Sequence, residues 1–112
     1  MDGSELLVEA LSEGVKTLRR LLSEGRLEDI DLEVEASIAR MLKQRLKNAA
    51  LITEKSGVIS WGGGGLPILI LDPIDGSTNL LRGYSLYSLS LAIANGSSWD
   101  TIESGVVVNP LL

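Results

Sequence analysis

The chain of 112 residues contains no cysteine and no histidine. The first absence excludes disulfides and thiolate metal sites. The second removes the commonest acid–base side chain and most zinc sites. Any metal chemistry must therefore use oxygen donors, which suit hard cations such as Mg²⁺. A basic cluster is also missing. Ten basic and fifteen acidic residues leave a net charge of −5, which repels a nucleic-acid backbone, so no nucleic-acid partner is expected. Long apolar runs are absent too. None approaches the ~20 residues of a membrane span, and the acidic start Met1-Asp2-Gly3-Ser4-Glu5 has no apolar signal core. A soluble, cytoplasmic protein with no membrane contact is expected.

What is present is a globular composition, 45% hydrophobic and 22% charged, with the length of one domain, residues 1–112. Charge is unevenly spread. Residues 1–55 hold twenty charged side chains and residues 56–112 only five: Asp72, Asp75, Arg82, Asp100 and Glu103. The first half reads as amphipathic helices and the second as buried strands. Leu7, Leu11, Val15, Leu18 and Leu22 recur at spacings of three and four, which predicts a helix from about Ser4 to Ser23, with Gly25 as its left-handed cap. Val34, Ile38, Met41, Leu42 and Leu46 predict a second from about Ile30 to Lys47. Its acids come first and its bases last, as the helix dipole favours.

The period then changes. Ala49 to Thr53 is a short strand candidate, and Gly62 to Gly65 a loop. The continuous apolar run Pro67-Ile68-Leu69-Ile70-Leu71 predicts a strand buried on both faces. Leu89, Leu91 and Ile93 alternate with Ser88, Ser90 and Ala92 in a further strand. Asn95-Gly96 predicts a tight hairpin turn, and Thr101 to Val108 the returning strand. The expected fold class is α+β, two N-terminal helices on a mainly antiparallel sheet. Two helices cover one face of a sheet, so something else is expected on the other.

The chemistry concentrates in Leu71-Asp72-Pro73-Ile74-Asp75-Gly76-Ser77-Thr78-Asn79. Two carboxylates three residues apart, with Pro73 stiffening the turn between them, can converge with the Ile74 carbonyl on a hard cation. Gly76, Ser77 and Thr78 can bind phosphate through backbone N–H groups and hydroxyls. A metal site beside a phosphate site is what metal-assisted hydrolysis of a phosphate ester requires. Asp-Pro and Asp-Gly are also ordinary turn dipeptides, and a turn-only role is the alternative.

Asp72 to Asn79 matches the signature Asp-Pro-Ile/Leu-Asp-Gly-Thr/Ser-x-Asn, and the chain resembles the inositol monophosphatase and fructose bisphosphatase superfamily over most of its length. Asp31 to Glu35 resembles the family's Asp-x-x-x-Glu, Leu51 to Gly57 its strand ending in Gly-Glu-Glu-Ser, and Gly105 to Pro110 its Gly-Val-x-x-Asn-Pro. The resemblance implies that Glu54, Asp72, Asp75 and the Ile74 carbonyl hold Mg²⁺ or Mn²⁺. It implies that Ser77, paired with Asp31, positions the attacking water, and that Gly76, Ser77 and Thr78 bind the phosphate of a small-molecule ester. Asp31 as a dipole-paired helix acid and Glu54 as a solvated strand end are the alternatives.

Three departures bear on activity. The resemblance covers the family's N-terminal half, and the later half supplies a further metal-binding aspartate. Lys55 stands where the family has a second glutamate, and only Glu24 to Ile30 joins the helices. Two readings follow. One is a phosphatase half, incomplete or weakly active alone and completed by a separate C-terminal half. The other is a non-catalytic binding module or self-assembling remnant of that fold. In either, the nearly uncharged segments 66–71, 86–94 and 101–112 are expected to form an interface, with a homo-oligomer as one outcome.

Overall fold

A computed structural model describes residues 3–26, 28–74 and 88–109, and for Pro73 and Ile74 the backbone alone. Helix α1 spans Gly3–Ser23 and α2 Ile30–Arg45. The strands are β1 Ala49–Thr53, β2 Gly57–Trp61, β3 Ile68–Ile74, β4 Ser88–Ala94 and β5 Ile102–Val108. The expected α+β architecture is present. The two helices form one layer, and the strands form a sheet ordered β2-β1-β3-β4-β5 in which only β1 and β3 run parallel.

The helices stop where local chemistry stops them. Gly25 has φ 69°, its N–H donates to the Leu22 carbonyl, and that of Arg26 donates to Leu21, closing α1 with a left-handed cap. The helices meet at Gly14, where an added Cβ would lie 2.7 Å from Ile38 Cδ1. Arg45 Nε donates to Glu9 Oε1 at 2.8 Å, tying the end of α2 to α1. Among the described residues, no helix is long and apolar enough to cross a membrane.

Strand alternation decides the rest. Ala49, Leu51, Leu69, Leu71, Leu89, Leu91 and Ile93 are buried under the helices with Leu7, Leu18, Leu21, Ile38 and Leu42. Their neighbours Ile52, Ile68 and Ile70 point to the opposite face. This corrects three expectations. The run 67–71 is not buried on both faces, since Leu69 is fully buried and Ile70 is 39% exposed. Strand β3 also does not end before the Asp-Pro pair. Asp72, Pro73 and Ile74 continue it, registered with Ser90, Leu89 and Ser88. Its pairing with β1 stops at Leu71, so among the described residues Pro73 is paired on one side only, where a missing N–H is tolerated. Finally, Asn95-Gly96 does not form a two-residue turn. Residues 95–101 connect β4 to β5, including the 3₁₀ turn Trp99–Thr101, and Asn95 N–H donates to the Thr101 carbonyl.

A bulge follows at Ile93/Ala94. Beyond it Ser104, Val106 and Val108 lie on the helix side with Ile93, Leu91 and Leu89, while Ile102 lies opposite Ala94 on the open face. The open face therefore carries Ile52, Ile68, Ile70, Ala94 and Ile102 beside Trp99, which is 88% exposed. Strand β4 contributes little to it, because its leucines are in the core. Strand β2 had no counterpart in the sequence reading. Its short Gly-Val-Ile-Ser-Trp pattern is anchored non-locally, by Trp61 Nε1 donating to the Leu46 carbonyl at 2.8 Å.

Candidate functional site

The site begins with register. Thr53 and Leu71 are the last residues paired across the parallel strands β1 and β3, so Glu54 and Asp72 are the next residues on two neighbouring chains, Glu54 just past the end of β1 and Asp72 within β3. Carboxyl ends of parallel strands are where α/β sheets place their ligands. Glu54 opens the turn 54–56 between β1 and β2, and both it and Asp72 are exposed. The turn is held by Thr53, whose buried Oγ1 accepts the Ser56 N–H at 2.9 Å. Across β3, Ser90 Oγ donates to the Asp72 carbonyl at 3.2 Å. Ile74, whose carbonyl is a candidate ligand, is the last residue of β3.

Asp31 lies in the first turn of α2 and is largely buried. It takes part in a polar interaction. Asp75, Gly76, Ser77 and Thr78 lie outside the described residues. The register thus puts Glu54 and Asp72 on adjacent strands, with Ile74 two residues further along β3. Among the described residues, no three acidic groups gather closely enough to hold an ion by themselves.

One residue of the site had no role assigned from sequence. Glu35, the last residue of the Asp31-x-x-x-Glu35 block, is 5% exposed, and neither carboxylate oxygen has a hydrogen-bond partner. It follows Asp31 by one helical turn on the same buried face. It lines a cleft with Leu32, Ala39, Arg40 and Lys43 of α2 and with Ser56 and Ile59 of the β1–β2 hairpin. Burying an unpaired carboxylate is costly unless positive charge compensates it. The Asp-x-x-x-Glu spacing was the available signal, but the same spacing occurs on many solvated helix faces.

The candidate donors just past β1 and on β3 are all oxygens, two carboxylates and the Ile74 carbonyl. That chemistry suits a hard divalent cation. Arg40 and Lys43 lie at the rim of the α2 cleft and are exposed, and Lys43 Nζ is 5.9 Å from the centroid of the Trp61 ring.

Comparison with known proteins gives the family and the fold. The inositol monophosphatase family profile matches residues 5–112. Inositol-1-monophosphatase of Aeropyrum pernix is 32% identical over 89 residues, covering 80% of this chain and 33% of that protein. Nus factor SuhB of Pasteurella multocida is 31% identical over 84 residues, covering 74% of this chain and 30% of that protein. The crystal structure of the extragenic suppressor protein suhB from Bartonella henselae superposes with a TM-score of 0.80 at 27% identity, covering 96% of this chain and 44% of that one. Inositol monophosphatase II of Staphylococcus aureus shares the fold at 16% identity, with a TM-score of 0.79. The chain spans about a third of the length of these curated relatives. With its profile match, its fold and its Asp-Pro-Ile-Asp-Gly block in agreement, the chain belongs to the inositol monophosphatase family.

Proposed function

We propose that this chain is the cation-binding portion of a Mg²⁺-dependent phosphatase acting on sugar or inositol phosphate monoesters, and that alone it turns over poorly. The observation that carries this reading is the Thr53–Leu71 register, which sets Glu54 beside Asp72. Glu54, Asp72, Asp75 and the Ile74 carbonyl would hold Mg²⁺, or Mn²⁺ in its place. A cation bound there supplies neutralisation of phosphate charge and a more acidic water. The Ser77 hydroxyl, donating to Asp31, would present its oxygen to the attacking water. Backbone N–H groups of Gly76 and Ser77 and the Thr78 hydroxyl would donate to the ester phosphate. The named inositol monophosphatase relatives support that substrate class. A cytoplasmic location is part of the same proposal.

Two features support weak activity. The chain matches less than half of the solved relatives' length, and Lys55 places a cation next to Glu54. Catalytic groups commonly act as a unit, so losing part of a set costs most of the rate. Millimolar Mg²⁺ or Mn²⁺ is expected to raise the melting temperature, and Asp75→Asn to abolish the rise. Release of phosphate from inositol monophosphate is expected to be slow and lost in Asp72→Asn. A folded chain indifferent to both metals would remove the proposal. Fast metal-dependent turnover would remove the claim of weak activity.

A second reading, a non-catalytic interaction module, draws on the open sheet face around Ile52, Ile70, Ile102 and Trp99. An apolar face of this kind marks association. Its occupant would be a second copy or a polypeptide supplying the remainder of the fold. Light scattering at micromolar concentration is expected to report at least a dimer for the chain alone, and Ile70→Lys to lower its mass. A stable monomer without metal-dependent phosphatase activity would remove self-association and leave the separate half as the occupant to seek.

A further inference from the structure

Glu35 is a charge that nothing in the described fold balances. Glu33 Oε2 is likewise unpartnered, but its other oxygen accepts from Arg26, whereas both Glu35 oxygens are sealed and unbonded. Among the described residues, the cations lining its cleft make no hydrogen bond to it. Arg40 and Lys43 line the same cleft from α2 itself, yet both are exposed, and so is Lys55 in the turn opposite. The cleft is closed from the sheet side by Ser56 and Ile59, and α1 contributes no residue to it.

The position of Glu35 suggests what the charge is for. One turn before it stands Asp31, and across the cleft stands Ser56, the end of the turn that Glu54 begins. Glu35 is thus one helical turn from Asp31 and shares a cleft with Ser56, two residues after the candidate ligand Glu54. It does not join Glu54 and Asp72 in a single three-carboxylate group. Direct ligation is therefore not its role.

Resting on the cation reading above, we propose that Glu35 is a positioning residue of that site. Its sealed, unbonded carboxyl group, across the cleft from the turn 54–56, strengthens divalent-cation binding at Glu54 and Asp72. Removing such an outer-shell group typically weakens metal affinity on the order of tenfold or more.

The test is a calorimetric Mn²⁺ titration of the chain, with thermal denaturation in chelator alongside. Wild type, Glu35→Gln and Asp72→Asn are compared. In chelator, Glu35→Gln is expected to melt at or above the wild-type temperature, because an uncompensated buried charge has gone. Its Mn²⁺ affinity is expected to fall roughly tenfold, while Asp72→Asn loses binding. If Glu35→Gln does not fold, Glu35→Met carries the same readout. Wild-type Mn²⁺ affinity in the folded variant would overturn the proposal, most plainly if its melting temperature in chelator had dropped, the mark of a packing role. If Asp72→Asn loses binding and Glu35→Gln does not, the inference about Glu35 alone fails. If the folded wild type ignores Mn²⁺, the cation reading fails and takes the role of Glu35 with it.

Discussion

The two faces of the sheet are built from alternate residues of the same strands, yet they do different work. The helix-covered face carries Leu51, Leu69, Leu71, Leu89 and Leu91 and holds the domain together. The open face carries Ile52, Ile68, Ile70 and Ile102 with Trp99, and stays in contact with solvent. Hydrophobicity alone does not separate them, since isoleucine on one face is as apolar as leucine on the other. What separates them is whether another layer lies above. The candidate ligands Glu54 and Asp72 follow the last paired residues of β1 and β3, Thr53 and Leu71, which belong to the helix-covered face.

Substitutions at adjacent residues sharpen the comparison most directly. Leu69→Ala removes a fully buried side chain from a central strand and is expected to cost about 2–5 kcal/mol of unfolding free energy in a denaturant titration. Ile70→Ala, one residue on, is expected to cost far less in the monomer. Equal losses at both positions would mean that the open face is covered in solution.

Next in size is a backbone test at the end of β2. Gly62 has φ 66°, and an added Cβ would lie 2.2 Å from the Lys47 carbonyl oxygen. Gly62→Ala is therefore expected to destabilise by about 2 kcal/mol, as left-handed strain and a backbone clash combine. It should do so without altering association through the open face. Loss of association in that variant would link the β2 edge to the interface.

A smaller effect is expected at Thr53, where the helix-covered face meets the site. Thr53→Val keeps shape and removes the acceptor for the Ser56 N–H, which is expected to cost about 1 kcal/mol. If the turn 54–56 positions Glu54, metal-dependent stabilisation should fall further than that loss alone implies.

The smallest effect lies away from both faces. Glu9→Gln breaks the ion pair with Arg45 that ties α1 to α2, and it is expected to shift the melting temperature slightly, with the difference erased in high salt. The hydrogen bond and charge of Glu9 raise the Arg45 pKa above arginine's ordinary value. A raised pKa contributes stability fully below the unfolded value and loses it only as pH climbs through the folded one. No pH dependence near neutrality follows from this pair.

Much of this protein was legible before any fold was known. The two helices follow from the spacing of Leu7, Leu11 and Leu18 and of Val34, Ile38 and Leu42, and Gly25 marks where the first one stops. These signals are local, because a helix's period and cap are written within a few residues of each other. The Asp72-Pro73-Ile74-Asp75-Gly76 block marks the family in the same local way. Tertiary structure decided what depends on partners distant in sequence. The Pro67–Leu71 run gave no sign of which face would be covered, because a continuous apolar run carries no alternation. The extension of β3 through Pro73 depended on β1 pairing ending at Leu71, a matter of register. The neighbouring of Glu54 and Asp72 required β3 to return beside β1 rather than β2. The isolation of Glu35 required α2 to lie down over the β1–β2 hairpin. A sequence can state that residue 35 is a carboxylate. Only the packing of one layer on another removes the water that would have solvated it.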